Sequence, residues 1–143
     1  MRKNIPPKHG SGTVPPPDVS YCIIVRKLER LDAWNVAQDV AHRAYLLSLD
    51  PRLSKHFALI DQIRRAALSV PANIAEGYSL GTTPQFLRGL KIALGSNTEL
   101  YSHLTVLRKL DLVSKDDVSP VLELCTRSIA IVIGLIRKLS TRR

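Results

Sequence analysis

Two glutamates, one histidine and two serines are the residues of this chain whose spacing could support chemistry. Glu76 and Glu99 each fall on a polar stripe of a helical repeat, and His103 follows Glu99 by about one helical turn. Carboxylates facing each other across two helices could hold a pair of metal ions or divide acid–base work, as glutamates and Glu-x-x-His motifs do in metal-binding helical bundles. No Glu-x-x-His occurs here, however, and the remaining histidines are scattered. The preferred reading is a structural network joining Arg64 or Arg65 to Glu76 or Glu99, within or between subunits. Ser69 and Ser96 lie among small residues, with no histidine at close spacing and no strand–turn–helix elbow to activate a nucleophile. No glycine loop cradles a phosphate. Cys22 and Cys125 are too far apart in sequence for a metal-spacing motif and read as two reduced thiols of a cytosolic protein. The expectation is a non-enzyme, with no catalytic residue, no cofactor and no metal.

These residues must be positioned by the stretch Gln62–Tyr78, QIRRAALSVPANIAEGY, around which the rest of the chain is organised. Gln62, Arg65, Ser69, Asn73 and Glu76 step by three or four and share one helical face. Ala66, Ala67, Ala72, Ala75 and Gly77 are small enough to let a neighbouring backbone approach. Pro71 stands in the middle, where proline removes a hydrogen bond and usually kinks or ends a helix. Gly89, Gly95 and Gly134 also fall inside helical patterns and read as further points of close helix contact.

The 143 residues suit one domain, and a 45% hydrophobic content with only 5% aromatics calls for a core of Leu, Ile, Val and Ala. Residues 1–20 hold five of the nine prolines and no apolar face, and read as a disordered Pro/Gly-rich arm before a domain spanning 21–143. A first helix is predicted over about Ile24–Ser48, ending before Pro51. A second starts near Leu53 or Lys55 and ends near Ser79 or Gly81. A third starts with Thr83 as cap and Pro84 in the first turn and ends near Leu110. Asn97 interrupts its apolar stripe and needs a partner if buried.

The fourth helix starts at Ser114 or Ser119, with Val118, Leu122, Cys125, Ile129, Val132, Ile136 and Leu139 inward. Val121, Leu124, Ile131 and Leu135 form a further stripe, and so wide an apolar face points to oligomerisation. Strand signals are absent apart from Tyr21–Val25, which could equally open the first helix. The fold class is all-α, an antiparallel up-down-up-down four-helix bundle. No signal peptide is visible, and the apolar run Ile129–Ile136 is far short of the roughly 20 residues a membrane span needs. A cytoplasmic protein with no membrane partner is expected.

The central run, followed by Phe86-Leu87, IALGS at Ile92–Ser96 and Glu99-Leu100, closely resembles the four-helix bundle proteins also called 23S ribosomal RNA intervening-sequence proteins. Leu31, Trp34, Ala37 and Tyr45 extend the resemblance, which spans about Leu28–Leu139. Leu80 and Lys91 depart from the pattern, where arginine and an aromatic are expected. The resemblance implies assembly into a homopentameric ring. It also implies kinship with the accessory variability determinant protein of diversity-generating retroelements, a basic bundle that engages nucleic acid and a reverse transcriptase. The family has no settled biochemical activity.

Net charge is +9. Residues 1–30 carry six Lys/Arg against two acids and residues 121–143 five against one, while 31–120 nets only +1. In an up-down-up-down bundle the start of the first helix and the end of the last share a pole. Arg26, Lys27, Arg30, Arg137, Lys138, Arg142 and Arg143 are therefore the expected nucleic-acid-binding residues, acting on RNA or DNA through phosphate contacts. The plainer reading of these charges is solvated chain ends without a partner. No stacking aromatics interleave the basic residues, so base reading is not expected. Gln62, Arg64, Arg65, Asn73, Glu76, Ser96 and Glu99 are assigned to a structural or interface network. The competing function is a protein–protein adaptor, in which the oligomer scaffolds another protein.

Overall fold

The computed structural model describes residues 19–142, except for the side chains of Val19, Tyr21 and Cys22. Five helices follow in order: α1 Val19–Leu28, α2 Asp32–Ser48, α3 Phe57–Ser79, α4 Thr83–Leu110 and α5 Lys115–Ser140. No strand occurs among the described residues. Most of the expected arm, residues 1–18, lies outside the described residues, and Val19 and Ser20 belong to α1.

The first predicted helix is in fact two. The chain breaks at Glu29–Leu31, where the Arg30 and Leu31 amides bond back to the carbonyls of Lys27 and Leu28. The Asn35 side chain donates to the Glu29 carbonyl at 2.8 Å, and Asp32 supplies a negative charge in the first turn of α2. Both favour a new helix N-terminus at this point. The periodicity runs through the break because Leu28 and Leu31 keep apolar spacing across it.

Helix α3 begins at Phe57, after a short 3-10 turn at Pro51–Leu53, and continues through Pro71 without ending. Pro71 is buried, and the apolar side chains on either side of it, Val70 and Ile74, are fully buried. Tertiary packing therefore offsets the roughly 3 kcal/mol that an interior proline costs. The cap of α4 is Thr82 rather than Thr83: its hydroxyl accepts from the Gln85 amide at 3.4 Å and donates to the Gln85 side-chain oxygen at 2.8 Å. Ser114 caps α5 by accepting from the Asp116 amide, so Pro120 lies inside the helix and Ser119 is not its start. Helix α4 ends on Asp111, whose φ of 56° is left-handed, a conformation a short polar side chain tolerates.

The interior divides into two apolar clusters. The first joins the end of α2, the start of α3, the end of α4 and the start of α5 around Val40, Ile63, Leu100, Leu104, Val118 and Leu122. The second joins the start of α2, the end of α3, the start of α4 and the end of α5 around Ala37, Val70, Ile74, Leu90, Ala93 and Val132. Trp34, Phe86, Ile131, Leu135, Ile136 and Leu139 pack against it. The four long helices thus form a helical bundle with α1 as an accessory piece.

Ile131 and Leu135, placed by periodicity on an outer stripe of the last helix, are half-buried against this core, and Ser128 is buried. The surplus apolar surface lies elsewhere, on Leu46, Leu49, Phe57, Leu68, Leu80, Ile92, Val106 and Leu110. By length and composition alone, α5 is long and apolar enough to cross a membrane, and 28% of that stretch is buried within the bundle.

Helices α3 and α4 make the most extensive contact, and glycine sets it. A Cβ added at Gly89 would stand 2.5 Å from the Asn73 carbonyl oxygen and 2.8 Å from the Gly77 Cα. Gly95 and Gly134, read from sequence as close-contact glycines, have open space where a Cβ would go. Gly89→Ala should therefore lower stability by about 1–3 kcal/mol through overpacking. Gly95→Ala should raise it by up to about 1 kcal/mol through helix propensity. Thermal unfolding of the two variants beside wild type checks the pair.

Candidate nucleic-acid interface

The described members of the expected basic set lie on or next to helices that end or begin at one side of the bundle. Arg26 and Lys27 occupy the last turn of α1, Arg30 the break before α2, and Arg137 and Lys138 the last turn of α5. Arg142 follows that helix, and Arg143 lies outside the described residues. All six described residues are exposed. The second apolar cluster fixes their common end, because Leu31 and Trp34 of the α2 start share it with Leu135 and Leu139 of the α5 end.

Lys27 does not stack along α5. With Ile23 and Ile24 it lines a groove against Tyr78, Ser79, Gly81, Thr82, Thr83 and Phe86, so α1 leans on the α3–α4 connection. The Tyr78 and Phe86 rings meet edge to face there, with centroids 5.3 Å apart. Two basic residues that segment-wise charge counting hides belong to the same region. Arg88 and Lys91 stand exposed in the early turns of α4 beside Pro84 and Leu87. They come from the near-neutral middle of the sequence, and only the arrangement of the helices brings them toward this end.

The residues of the expected network divide between two faces. Ser69 and Ser96 share a hydrogen bond of 2.8 Å across α3 and α4, and the Asn73 amide donates to both the Ser69 hydroxyl and the Ser69 carbonyl. Asn73 and Glu76 line a cleft of about 150 Å³ with Gln85, Arg88 and Ile92, directly over Gly77 and Gly89. That volume is below the roughly 300 Å³ at which ordinary ligand pockets begin. Gln62 and Arg65 continue the α3 side of this seam, and Glu99 and His103 the α4 side, the latter two 3.2 Å apart.

Arg64 lies on the other face of α3. Its Nε donates to the Ser48 hydroxyl at 2.8 Å, and its guanidinium sits 4.9 Å from the Tyr45 ring centroid on α2. Arg65 reaches Asp61 at 3.8 Å, both side chains being largely exposed. Within one chain, therefore, neither arginine is joined to Glu76 or Glu99, and that intrachain form of the network is corrected. The reason is rotational: the two arginines are adjacent in sequence, so one turns toward α2 and the other toward solvent.

Away from the basic end, Arg52 clasps Asp50 at 2.6 Å and reaches Asp117 of α5 at 3.4 Å. Side-chain hydrogen bonds from Arg52, aided by its backbone amide, lower the Asp50 pKa from 3.8 to about 2. A depressed carboxylate stabilises the fold above its unfolded pKa, so this contribution is present above about pH 4 and is lost as pH falls through about 2. Burial pushes the Cys125 thiol up to about 12, which keeps it protonated and unreactive. No group of three or more His, Cys, Asp and Glu stands ready for a metal among the described residues.

Arg64→Ala should cost about 1.5–3 kcal/mol, the range for a charge-assisted hydrogen bond, by releasing the half-buried contact with Ser48. Arg65→Ala should stay within about 0.5 kcal/mol in the isolated chain, as exposed pairs do. Urea unfolding of both variants, followed by circular dichroism, distinguishes them.

Comparison with known proteins agrees with this architecture. A crystal structure of a protein with unknown function from the S23 ribosomal protein family of Bacteroides thetaiotaomicron superposes with a TM-score of 0.66. It is 21% identical and covers 73% of this chain and 97% of its own, which supports likeness of fold. No curated protein matches the chain. The family model described as 23S rRNA-intervening sequence protein matches residues 29–134, from the α1–α2 break to the last third of α5. With both the helical bundle and this match in hand, the chain belongs to the 23S rRNA-intervening sequence protein family.

Proposed function

We propose that this chain is a non-enzymatic, antiparallel up-down-up-down bundle that self-associates and binds nucleic acid through its basic end. The observation that carries the reading is that the α2 start, the α4 start and the α5 end meet on the second cluster, so that Arg26, Lys27, Arg30, Arg137, Lys138 and Arg142 stand on segments that end there, with Arg88 and Lys91 in the early turns of α4. Such a surface neutralises phosphates chiefly through lysine and arginine, because the Tyr78 and Phe86 rings beside Lys27 are half-buried and packed on each other rather than offered as a stacking platform. Several copies in one assembly, a pentamer by family resemblance, would join these ends into one field and add avidity. The compartment that fits this reading is the cytoplasm.

Self-association fits the α3–α4 seam better than the outer face of α5. Leu80, Ile92, Val106 and Leu110 are exposed on that side of the bundle, interleaved with Arg65, Glu76, Arg88 and Glu99. Apolar and charged residues mixed in this way suit a surface that pairs with another copy. Light scattering should give a mass several times the 15.9 kDa of one chain, and Ile92→Glu should reduce it while helicity is kept. A monomeric wild type would overturn the assembly.

An adaptor role has its own support. Leu46, Leu49 and Phe57, each more than half exposed, stand around the α2–α3 connection, away from the basic end. Salt dependence separates the two functions. Affinity for a mixed-sequence oligonucleotide should fall steeply with salt, the logarithmic slope losing about 0.9 for each duplex phosphate contact removed. Replacing Arg137, Lys138 and Arg142 with Gln or Ser should weaken binding and flatten that slope without loss of helicity. Unchanged affinity and slope in this variant would remove the basic end as the site and leave the adaptor reading.

A further inference from the structure

We propose that the middle of the bundle is an internal hydration site, where at least one water molecule bridges the Asn97 amide and the Ser128 hydroxyl. The proposal stands independently of nucleic-acid binding. Asn97 is 0% exposed and Ser128 1%, and Asn97 Oδ1, Asn97 Nδ2 and Ser128 Oγ have no hydrogen-bond partner among the described residues. Native interiors rarely leave such atoms dry, because each keeps its full desolvation cost. A carboxamide brings two donors and an acceptor, and a hydroxyl can both donate and accept. Water complements both groups at once.

The fold places the two residues at one height. Asn97 stands as many residues before Leu110, the last of α4, as Ser128 stands after Lys115, the first of α5. At an equal rise per residue, both lie the same distance from the connection that joins the helices. Packing agrees with this register. Ala93 belongs to the second cluster and Leu100 to the first, with Asn97 between them. Val132 belongs to the second and Cys125 to the first, with Ser128 between them.

The polar pair therefore sits at the junction of two apolar clusters. Of its four flanking residues, one on each helix is small, Ala93 and Cys125, which favours a water over a packed side chain on that side. Beside it, the hydrogen-bonded hydroxyls of Ser69 and Ser96 carry the same polar level out to the α3–α4 seam.

A crystal structure of the full chain, at a resolution that orders internal waters, tests this directly. The expected result is a density peak within hydrogen-bond distance of both the Asn97 carboxamide and Ser128 Oγ. Direct pairing of the two side chains, or any arrangement without that peak, would overturn the proposal. Thermal unfolding supplies a second measurement. Ser128→Ala should lower Tm by several degrees in the wild type but not once Asn97→Leu has been made, where no amide needs the water and the hydroxyl removed is itself an orphan. An equal loss in both backgrounds would refute the bridge.

Discussion

The close approach of α3 and α4 at Gly77 and Gly89 is the constraint on which the other contacts depend. With the Gly77 Cα and the Asn73 carbonyl against the Gly89 backbone, no side chain fits between the helices at this point. Small spacing there lets Ser69 and Ser96 hydrogen-bond across the seam and lets Tyr78 meet Phe86 beyond it. It also sets where the α3–α4 connection lies, and α1 leans on that connection. The position of Lys27 at the basic end therefore traces back to two missing Cβ atoms on other helices.

Apolar periodicity made much of the fold legible, because a helix that buries one face must repeat its apolar residues every three to four positions. The long helices follow from that repeat, whereas the family was legible through resemblance, in the run Gln62–Tyr78 and the residues of α4 that accompany it. The break at Glu29–Leu31 does not, since it comes from a local hydrogen bond of Asn35 and an acidic first turn, neither of which disturbs the spacing of Leu28 and Leu31. Nor does the difference between Gly89 and Gly95, which share a helix but not a neighbour.

The candidate site was legible only in part, for a reason of geometry. Counting charge by stretches of sequence found the two ends of the chain but passed over Arg88 and Lys91, whose near-neutral segment folds back toward the same region. Arg64 and Arg65 were treated alike because they are adjacent, whereas one residue on a helix turns a side chain by roughly 100°. Ser128 is not legible because the apolar repeat of the last helix runs through Ile129 beside it. A polar residue that interrupts an apolar repeat at Asn97 was the one available hint of a polar level inside the bundle.

Division of the interior into two clusters has an optical consequence. Trp34 is the only tryptophan in the chain, and it packs against the second cluster. Its emission therefore monitors the half of the interior beneath the basic end, while the half around Leu104 and Leu122 is dark to it. Circular dichroism weights both halves through the backbone. Coincident melting curves from the two signals would mean that the halves come apart together, and separated curves would show that the bundle yields first at one end.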